Sequence, residues 1–171
     1  MPAPLKALAA FSLRHWLALA LATSIAMLAT AHGFQTFGGL QPCHLCLQQR
    51  EVYWVAIPIA LVGLLLSRTS FGGGYAFLFG WPLAAVFLVG TIIAVRHAGA
   101  EWKWWPAPES CSGAGGASLA DLQRLLAGAR FAAPRCDVAA WRFLGLSIAG
   151  WNAIISLKMT GWSIAFGLSR R

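Results

Sequence analysis

Apolar residues are concentrated in four long blocks of this chain. The blocks are Trp16–Ala31, Val52–Leu66, Tyr75–Val95 and about Phe143–Leu168. Because a membrane-spanning helix needs roughly 17–25 mostly apolar residues, the pattern predicts an all-α membrane protein, a bundle of four transmembrane helices. Within one membrane domain over 1–171, we place the spans at about 16–33, 46–66, 75–95 and 144–168.

The first block has a second interpretation. Ala29-Thr30-Ala31 resembles a signal-peptidase site, and it follows a basic start. Cleavage there would leave three spans and separate the two ends of the chain across the membrane. An uncleaved first helix gives an even number of spans with both ends on one side, which the basic termini favour.

Basic residues predict the orientation of the bundle. Those at the ends of the blocks are Lys6, Arg14, Arg68, Arg170 and Arg171. The connection 33–46 contains no lysine or arginine. By the positive-inside rule, both termini and the Arg68 loop are cytoplasmic. The cysteines and the long loop 96–143 then face the non-cytoplasmic side, which in a bacterial envelope is oxidising and permits disulfides.

Composition supports the membrane class. Hydrophobic residues make up 58% of the chain and charged residues 11%, whereas soluble domains carry roughly 25% charged residues. The net charge is +8, but the basic residues are not gathered on one face or stripe. We therefore expect the chain to contact a lipid bilayer and no nucleic acid.

The long loop has two recognisable parts. Its tryptophans predict an aromatic belt at the lipid headgroups; they are Trp102, Trp104 and Trp105. Farther on, four leucines fall on one helical stripe, namely Leu119, Leu122, Leu125 and Leu126. We interpret them as a short amphipathic helix on the membrane surface; the alternative is a helix packed on the bundle.

Two polar residues interrupt the fourth block, Asn152 and Lys158. A charged residue inside a span is costly and often functional. Lys158 is about ten residues from the end of the block, too far for easy snorkelling to the interface. We favour a structural or accommodated lysine over a catalytic one.

The stretch QPCHLCLQQREVYW carries the most distinctive chemistry. Pro42 suits the first turn of a helix, so Cys43 and Cys46 would lie near the positive end of its dipole, which favours a thiolate. A disulfide between them would be easily reduced and suits electron transfer. Arg50 lies one helical turn beyond Cys46 and would also favour the thiolate. The alternative is an interfacial arginine that snorkels and offsets Glu51.

Two further cysteines, Cys111 and Cys136, lie in the long loop. Four cysteines allow three pairings. If these two pair, the bond is either a structural staple worth roughly 3 kcal/mol in the chain-entropy picture or a mobile disulfide open to thiol exchange. The residues alone leave both possibilities open.

A metal site is the main rival. Cys43, His44 and Cys46 could bind zinc together with His32 or His97, which would make the chain a small metal-binding membrane protein. A purely structural membrane subunit stapled by loop disulfides is a third possibility. Haem attachment is excluded because that motif needs histidine directly after the second cysteine, where Leu47 stands.

The chain as a whole resembles the disulfide bond formation protein B (DsbB) family. The likeness rests on four blocks, PCHLCLQQR at the start of the second, a cysteine pair before the fourth, and CDVAAWRFLGLSIAGW after the last cysteine. It covers essentially the whole chain. The specific part is C-x-x-C-x-x-x-R combined with WRFLGLS, a passage that points away from a vitamin K epoxide reductase-like bundle.

The resemblance implies a quinone-dependent protein-disulfide oxidoreductase. It implies that Cys43–Cys46 is the disulfide next to the quinone, with Cys46 as the thiolate stacked on it and Arg50 beside it. Cys111–Cys136 would oxidise a periplasmic DsbA-like thioredoxin-fold protein, and Cys111 would form the mixed disulfide. Ubiquinone or menaquinone would receive the electrons.

Two departures from the family pattern matter. Better-known members have a histidine near the end of the third span, and His97 is the only candidate for a quinone-binding histidine here, although its spacing to Cys111 differs. The loop sequence SGAGGASLADL also differs from the commonest form. Partner specificity is therefore not carried over.

Overall fold

A computed structural model describes residues 3–70, 73–108, 111, 123, 126 and 135–169. In this part of the chain the α-helices are α1 Ala3–Arg14, α2 Trp16–Thr36, α3 His44–Ser67, α4 Gly80–Glu101 and α5 Ile148–Leu168. A 3-10 helix, Gly73–Phe79, leads into α4. Two short antiparallel strands, β1 Arg142–Phe143 and β2 Leu146–Ser147, precede α5.

The helices α2 to α5 pack into a bundle in which α4 and α5 share the largest contact. The buried core combines aromatic and small side chains, and Leu83, Phe87 and Ala60 are fully buried within it. Apolar side chains also cover the outside, including Leu65, Val89, Ile92 and Leu157. Because soluble monomers seldom expose apolar patches of this extent, the outer surface suits a lipid environment.

Three helices in the described part of the chain are long and apolar enough to cross a membrane, Trp16–Thr36, His44–Ser67 and Gly74–Glu101. The remaining long helix, α5, has 21 residues and contains Asn152 and Lys158. A count of four spans therefore stays a prediction. The predicted amphipathic loop helix lies outside the described residues, apart from Gln123 and Leu126.

Helix α3 begins at His44, so Pro42 precedes the N-cap and does not lie in the first turn, where the sequence predicts it. Cys43 is its N-cap, and its sulfur accepts a hydrogen bond from the backbone N–H of Cys46 at 3.3 Å. The cap satisfies one of the free N–H groups at the start of the helix. The helix start therefore fixes the first cysteine against the second.

A β-hairpin occupies the beginning of the predicted fourth span. Leu144 and Gly145 form its turn, with φ of 50° and 82°, the left-handed pair that a two-residue type I′ turn requires. The Ser147 side chain then caps α5 by accepting from the Gly150 N–H at 3.1 Å. The helix consequently begins at Ile148 rather than at 144.

The end of α4 extends past the predicted limit at 95 because Trp105 folds back onto it. The Trp105 indole donates to the Arg96 carbonyl at 2.8 Å, and its ring lies against Gly99, where a Cβ would come within 2.0 Å. This tryptophan packs on the helix end in addition to its position in the predicted aromatic belt.

Pro82 lies in the first turn of α4, a position where proline fits without kinking the helix.

Gly80 allows the closest approach of α4 to α5. A Cβ at this position would lie 2.6 Å from the Gly167 backbone nitrogen and from the Ser163 carbonyl oxygen. Gly80→Ala should therefore force the helices apart and lower stability by roughly 1–3 kcal/mol, the usual cost of overpacking. Thermal unfolding in detergent measures the effect. Gly161→Ala is the matched control, since its Cβ meets nothing within 4 Å; equal unfolding temperatures for the two variants would contradict the contact.

Candidate functional site

Four helix ends meet around one cavity. The end of α2, the start of α3, the end of α4 and the start of α5 enclose a volume of about 430 Å³. Its polar lining includes Cys43, Cys46, Gln49, Arg50, Tyr53, His97, Glu101 and Asn152, and its apolar lining includes Met27, Phe34, Val138, Trp141 and Ile148. The fold thus gathers most of the sequence-predicted site residues at one end of the bundle.

The first cysteine pair forms part of the cavity wall. The sulfurs of Cys43 and Cys46 lie 2.8 Å apart as free thiols. Cys43 is 4% exposed, while Cys46 is half-buried. The hydrogen bond to Cys46, together with burial, raises the pKa of the Cys43 thiol above its usual range. Cys43 therefore keeps its proton, and its partner is the more accessible sulfur.

His97 brings the end of α4 against this pair. Its Nε2 lies 3.6 Å from the Cys43 sulfur, and its Nδ1 lies 2.9 Å from Gln49 Nε2. The ring is 4% exposed. The histidine chosen from the sequence is therefore in the cavity and in contact with the cysteines.

Arg50 connects α3 to α2. Its guanidinium donates to Gln35 Oε1 at 2.6 Å and to the Ala31 carbonyl at 3.1 Å. Glu51, one residue along, is exposed and does not line the cavity. Arg50 is thus held at the cavity wall by α2, which differs from an arginine that snorkels freely to the headgroups.

The second cysteine pair forms a disulfide, Cys111–Cys136. It packs in one buried cluster with Cys43 and Leu45. Of the three pairings open to four cysteines, the structure therefore has Cys111 with Cys136, and it places that bond in the same buried cluster as Cys43.

Ion pairs hold the segment after Cys136 in place. Asp137 contacts Lys103 at 2.7 Å and Arg135 at 2.8 Å. These two cations hold the pKa of the Asp137 carboxyl well below its usual range, with Arg135 as the larger cause. A carboxyl with a lowered pKa stabilises the fold above its unfolded pKa and loses that contribution only as pH falls through the folded value. The anchor is therefore fully charged at neutral pH.

Three residues considered from the sequence lie elsewhere. His32 and Lys158 are exposed and do not line the cavity. His44, also exposed, pairs with Gln48 at 3.2 Å. The cysteine-histidine group that the fold brings together therefore contains His97 and neither His32 nor His44.

Among the polar residues that line the cavity, Gln49, Tyr53 and Glu101 were not predicted from the sequence. Gln49 and Tyr53 follow Leu45 at steps of four, so their shared helix face could have been found from the spacing. Glu101 Oε1 lies 3.7 Å from His97 Nε2, and its Oε2 has no hydrogen-bond partner within the described structure. A carboxylate after an apolar helix gave no signal that it would be buried.

Comparison with known protein families shows to which family the chain belongs. The family model for disulfide bond formation protein DsbB matches residues 13–166. The chain belongs to the DsbB family.

Individual DsbB relatives cover most of the chain. A disulfide bond formation protein B from Methylococcus capsulatus is 33% identical over 148 residues, 81% of this chain and 84% of the relative. One from Paracidovorax citrulli is 30% identical over 154 residues, 85% of this chain and 82% of the relative. A disulfide bond formation protein B 2 from Pseudomonas entomophila is 28% identical over 168 residues, 93% and 95% of the two chains.

The two thiols of α3 should differ in reactivity in this DsbB family member. With the pair reduced and Cys111–Cys136 intact, Cys46 should be alkylated at least about tenfold faster than Cys43, because thiolates react and Cys43 is buried and protonated. Mass spectrometry of partially alkylated protein measures both rates. Equal labelling of the two positions would contradict the geometry.

Proposed function

We propose that this protein is an inner-membrane thiol oxidase that reoxidises a periplasmic DsbA-like thioredoxin-fold protein and passes the electrons to membrane quinone. The observation that carries the proposal is the presence of both cysteine pairs in one buried cluster. One pair is already a disulfide, and the other lies in the same buried cluster and borders a cavity. Thiol–disulfide exchange needs this proximity of sulfurs.

The proposed electron path runs through both pairs. A partner thiolate attacks Cys111, and the exchange leaves the partner oxidised and Cys111 and Cys136 reduced. By the same type of exchange, the Cys111/Cys136 dithiol then reduces a Cys43–Cys46 disulfide. Each transfer moves two electrons, and the two thiol protons leave with them. In sum, partner dithiol and quinone become partner disulfide and quinol.

The cavity suits a quinone headgroup. Pockets for small ligands have roughly 300–1,000 Å³ and are mostly apolar with a few polar groups, and this one has about 430 Å³. Phe34 and Trp141 are among its apolar walls. Arg50 uses two guanidinium contacts on α2, which leaves other N–H donors of its five for a ligand oxygen.

Cys46, Arg50 and the apolar walls of the cavity each have a defined task in this proposal. Bound quinone would supply an acceptor for two electrons and two protons. Cys46 offers the accessible sulfur, and Arg50 supplies a permanent cation and hydrogen-bond donors for an oxygen that gains negative charge. The apolar walls exclude water. Either ubiquinone or menaquinone meets these requirements.

The proposed topology has four spans, with both termini cytoplasmic and all four cysteines periplasmic. Its support is the placement of basic residues and the position of both cysteine pairs at one end of the bundle. Helix α5 would be the fourth span. Its Asn152 faces inward and is 4% exposed, so this polar side chain need not meet lipid.

The cysteines of α3 should be essential for quinone reduction. Cys43→Ser and Cys46→Ser should each lower turnover by about a thousandfold or more, since a lone thiol cannot form the required disulfide. Stopped-flow absorbance with reduced partner and a soluble quinone measures the reaction. Quinone reduction that persists in either variant would exclude the proposed path.

Arg50 should contribute mainly to binding of quinone. Arg50→Ala should raise the apparent KM for quinone roughly tenfold, the scale of one charge-assisted hydrogen bond, and change kcat less. Arg96→Ala is the matched control, because Arg96 is exposed near the same end of the bundle and does not line the cavity. If the two variants had the same KM, Arg50 would have no role at the quinone.

A metal site is the second candidate function. The ligand atoms of Cys43, Cys46 and His97 all lie within 4.8 Å of one another. The sulfurs are 2.8 Å apart, however, whereas two thiolates on a tetrahedral zinc would be roughly 3.8 Å apart. That separation favours disulfide exchange. Metal analysis with thiol counting separates the two functions: stoichiometric zinc on reduced cysteines would support the metal site.

A further inference from the structure

A connected series of buried polar side chains leads from the middle of the bundle to Cys43. Its members are Ser156 and Asn152 on α5, Tyr53 and Gln49 on α3, and His97 on α4. Each is at most 7% exposed. We call this series the polar chain. Buried polar groups in an apolar bundle are costly unless they are hydrogen-bonded, yet the proposed electron path gives none of these five side chains a task.

One backbone carbonyl fixes the direction of the polar chain. Gln49 Nε2 lies 3.2 Å from the Leu45 carbonyl oxygen. Because that oxygen can only accept, the Gln49 amide must present its NH₂ group there. The same NH₂ lies 2.9 Å from His97 Nδ1 and donates its second hydrogen to that nitrogen. Nδ1 therefore accepts and carries no proton.

The other members agree with this direction. Gln49 Oε1 accepts from Asn152 Nδ2 at 2.6 Å, and Asn152 Oδ1 accepts from the Tyr53 hydroxyl. Ser156 Oγ, 3.2 Å from the Tyr53 hydroxyl oxygen, is left to donate. If the Asn152 amide were reversed, its oxygen would lie next to Gln49 Oε1, and neither oxygen can donate a hydrogen bond. Every donor in the polar chain thus points toward His97.

A neutral imidazole carries one proton, so His97 has it on Nε2. This nitrogen lies 3.6 Å from the Cys43 sulfur and 3.7 Å from Glu101 Oε1. The first distance is a hydrogen bond to a large sulfur atom, whereas the second is too long for an oxygen acceptor. The sulfur is therefore the acceptor of the Nε2–H group.

We propose that Gln49, Asn152 and Tyr53 are positioning residues that hold His97 as the Nε2–H tautomer, so that it donates a hydrogen bond to the Cys43–Cys46 sulfurs and does not act on them as a base. The consequence for turnover rests on the proposed function. The tautomer is a property of the resting protein and can be measured without any quinone.

The tautomer matters because the reduced pair, with its proton on Cys43 and the Cys46 sulfur 2.8 Å away, can carry a negative charge. A donor at Cys43 stabilises that charge, while the opposite tautomer would direct a lone pair at it. Among the described residues, the charged groups that line the cavity with the pair are Arg50 on α3, Glu101 on α4 and Arg135, directly before Cys136. The polar residue that α5 contributes to the described lining is the uncharged Asn152.

The test is ¹⁵N NMR of protein labelled at histidine, in detergent and at pH 8. Wild-type protein should have a protonated Nε2 and a bare Nδ1 at His97, and His97→Asn identifies that signal among the four histidines. Gln49→Glu places a carboxylate, which only accepts, against Nδ1. In this variant the proton should move to Nδ1.

Gln48→Glu is the matched control. It makes the same change at the neighbouring position beside a different histidine, His44, and should alter the His44 signal while leaving that of His97 unchanged. A wild-type His97 protonated on Nδ1, or an Nε2–H signal that survives Gln49→Glu, would overturn the proposal. The wild-type spectrum decides the tautomer even if a variant fails to fold.

A second readout connects the tautomer to sulfur reactivity. Gln49→Leu adds no charge and releases Nδ1, so His97 should populate both tautomers, and Cys46 alkylation at neutral pH should slow roughly threefold to tenfold, the range for one weakened hydrogen bond to a charge. Its pH profile should shift upward. Unchanged rates would reject the effect on the sulfurs. Wild-type protein that shows Nε2–H but reduces no quinone would instead refute only the proposed function.

Discussion

At the end of the bundle that contains the cysteines, the arrangement of the helices depends on polar side chains buried between apolar helices. Gln49, Asn152 and Tyr53 contact one another across α3 and α5, and His97 joins them from α4. In an apolar environment each unpaired group would cost free energy, and the helices have a register in which these four side chains are hydrogen-bonded to one another. The same register brings His97 to the Cys43 sulfur.

Two helix N-termini complete the arrangement through their caps. Cys43 and Ser147 start α3 and α5 at the same end of the bundle. The first cap is itself a cysteine of the candidate site, so the local requirement of a helix start and the geometry of the site share one sulfur. The hairpin before α5 and the Asp137 ion pairs hold the segment that begins at Cys136 at this end. Cys136 thereby lies in the same buried cluster as Cys43.

Much of the fold and part of the candidate site could be predicted from the sequence, because the patterns that indicate them are local. The apolar blocks predicted the long helices, and the spacing of Cys43 and Cys46 predicted a sulfur pair at a helix start. Contacts between distant segments gave no such signal. The burial of Glu101 and the hairpin at Leu144 depend on packing between elements. Asn152 was noticed as a polar interruption, but its partners lie about a hundred positions away on α3.

The glycine contact between α4 and α5 has a mechanical consequence. Gly80 lies seventeen residues before His97, about 25 Å along a straight helix. A Cβ at Gly80 would push the start of α4 away from α5, and a tilt of a straight helix at one end displaces the residues at its other end. The position of the imidazole beside Cys43 therefore depends on packing remote from it as well as on its own hydrogen bonds. A single added methyl group at Gly80 could be felt at the sulfurs without touching any residue near them.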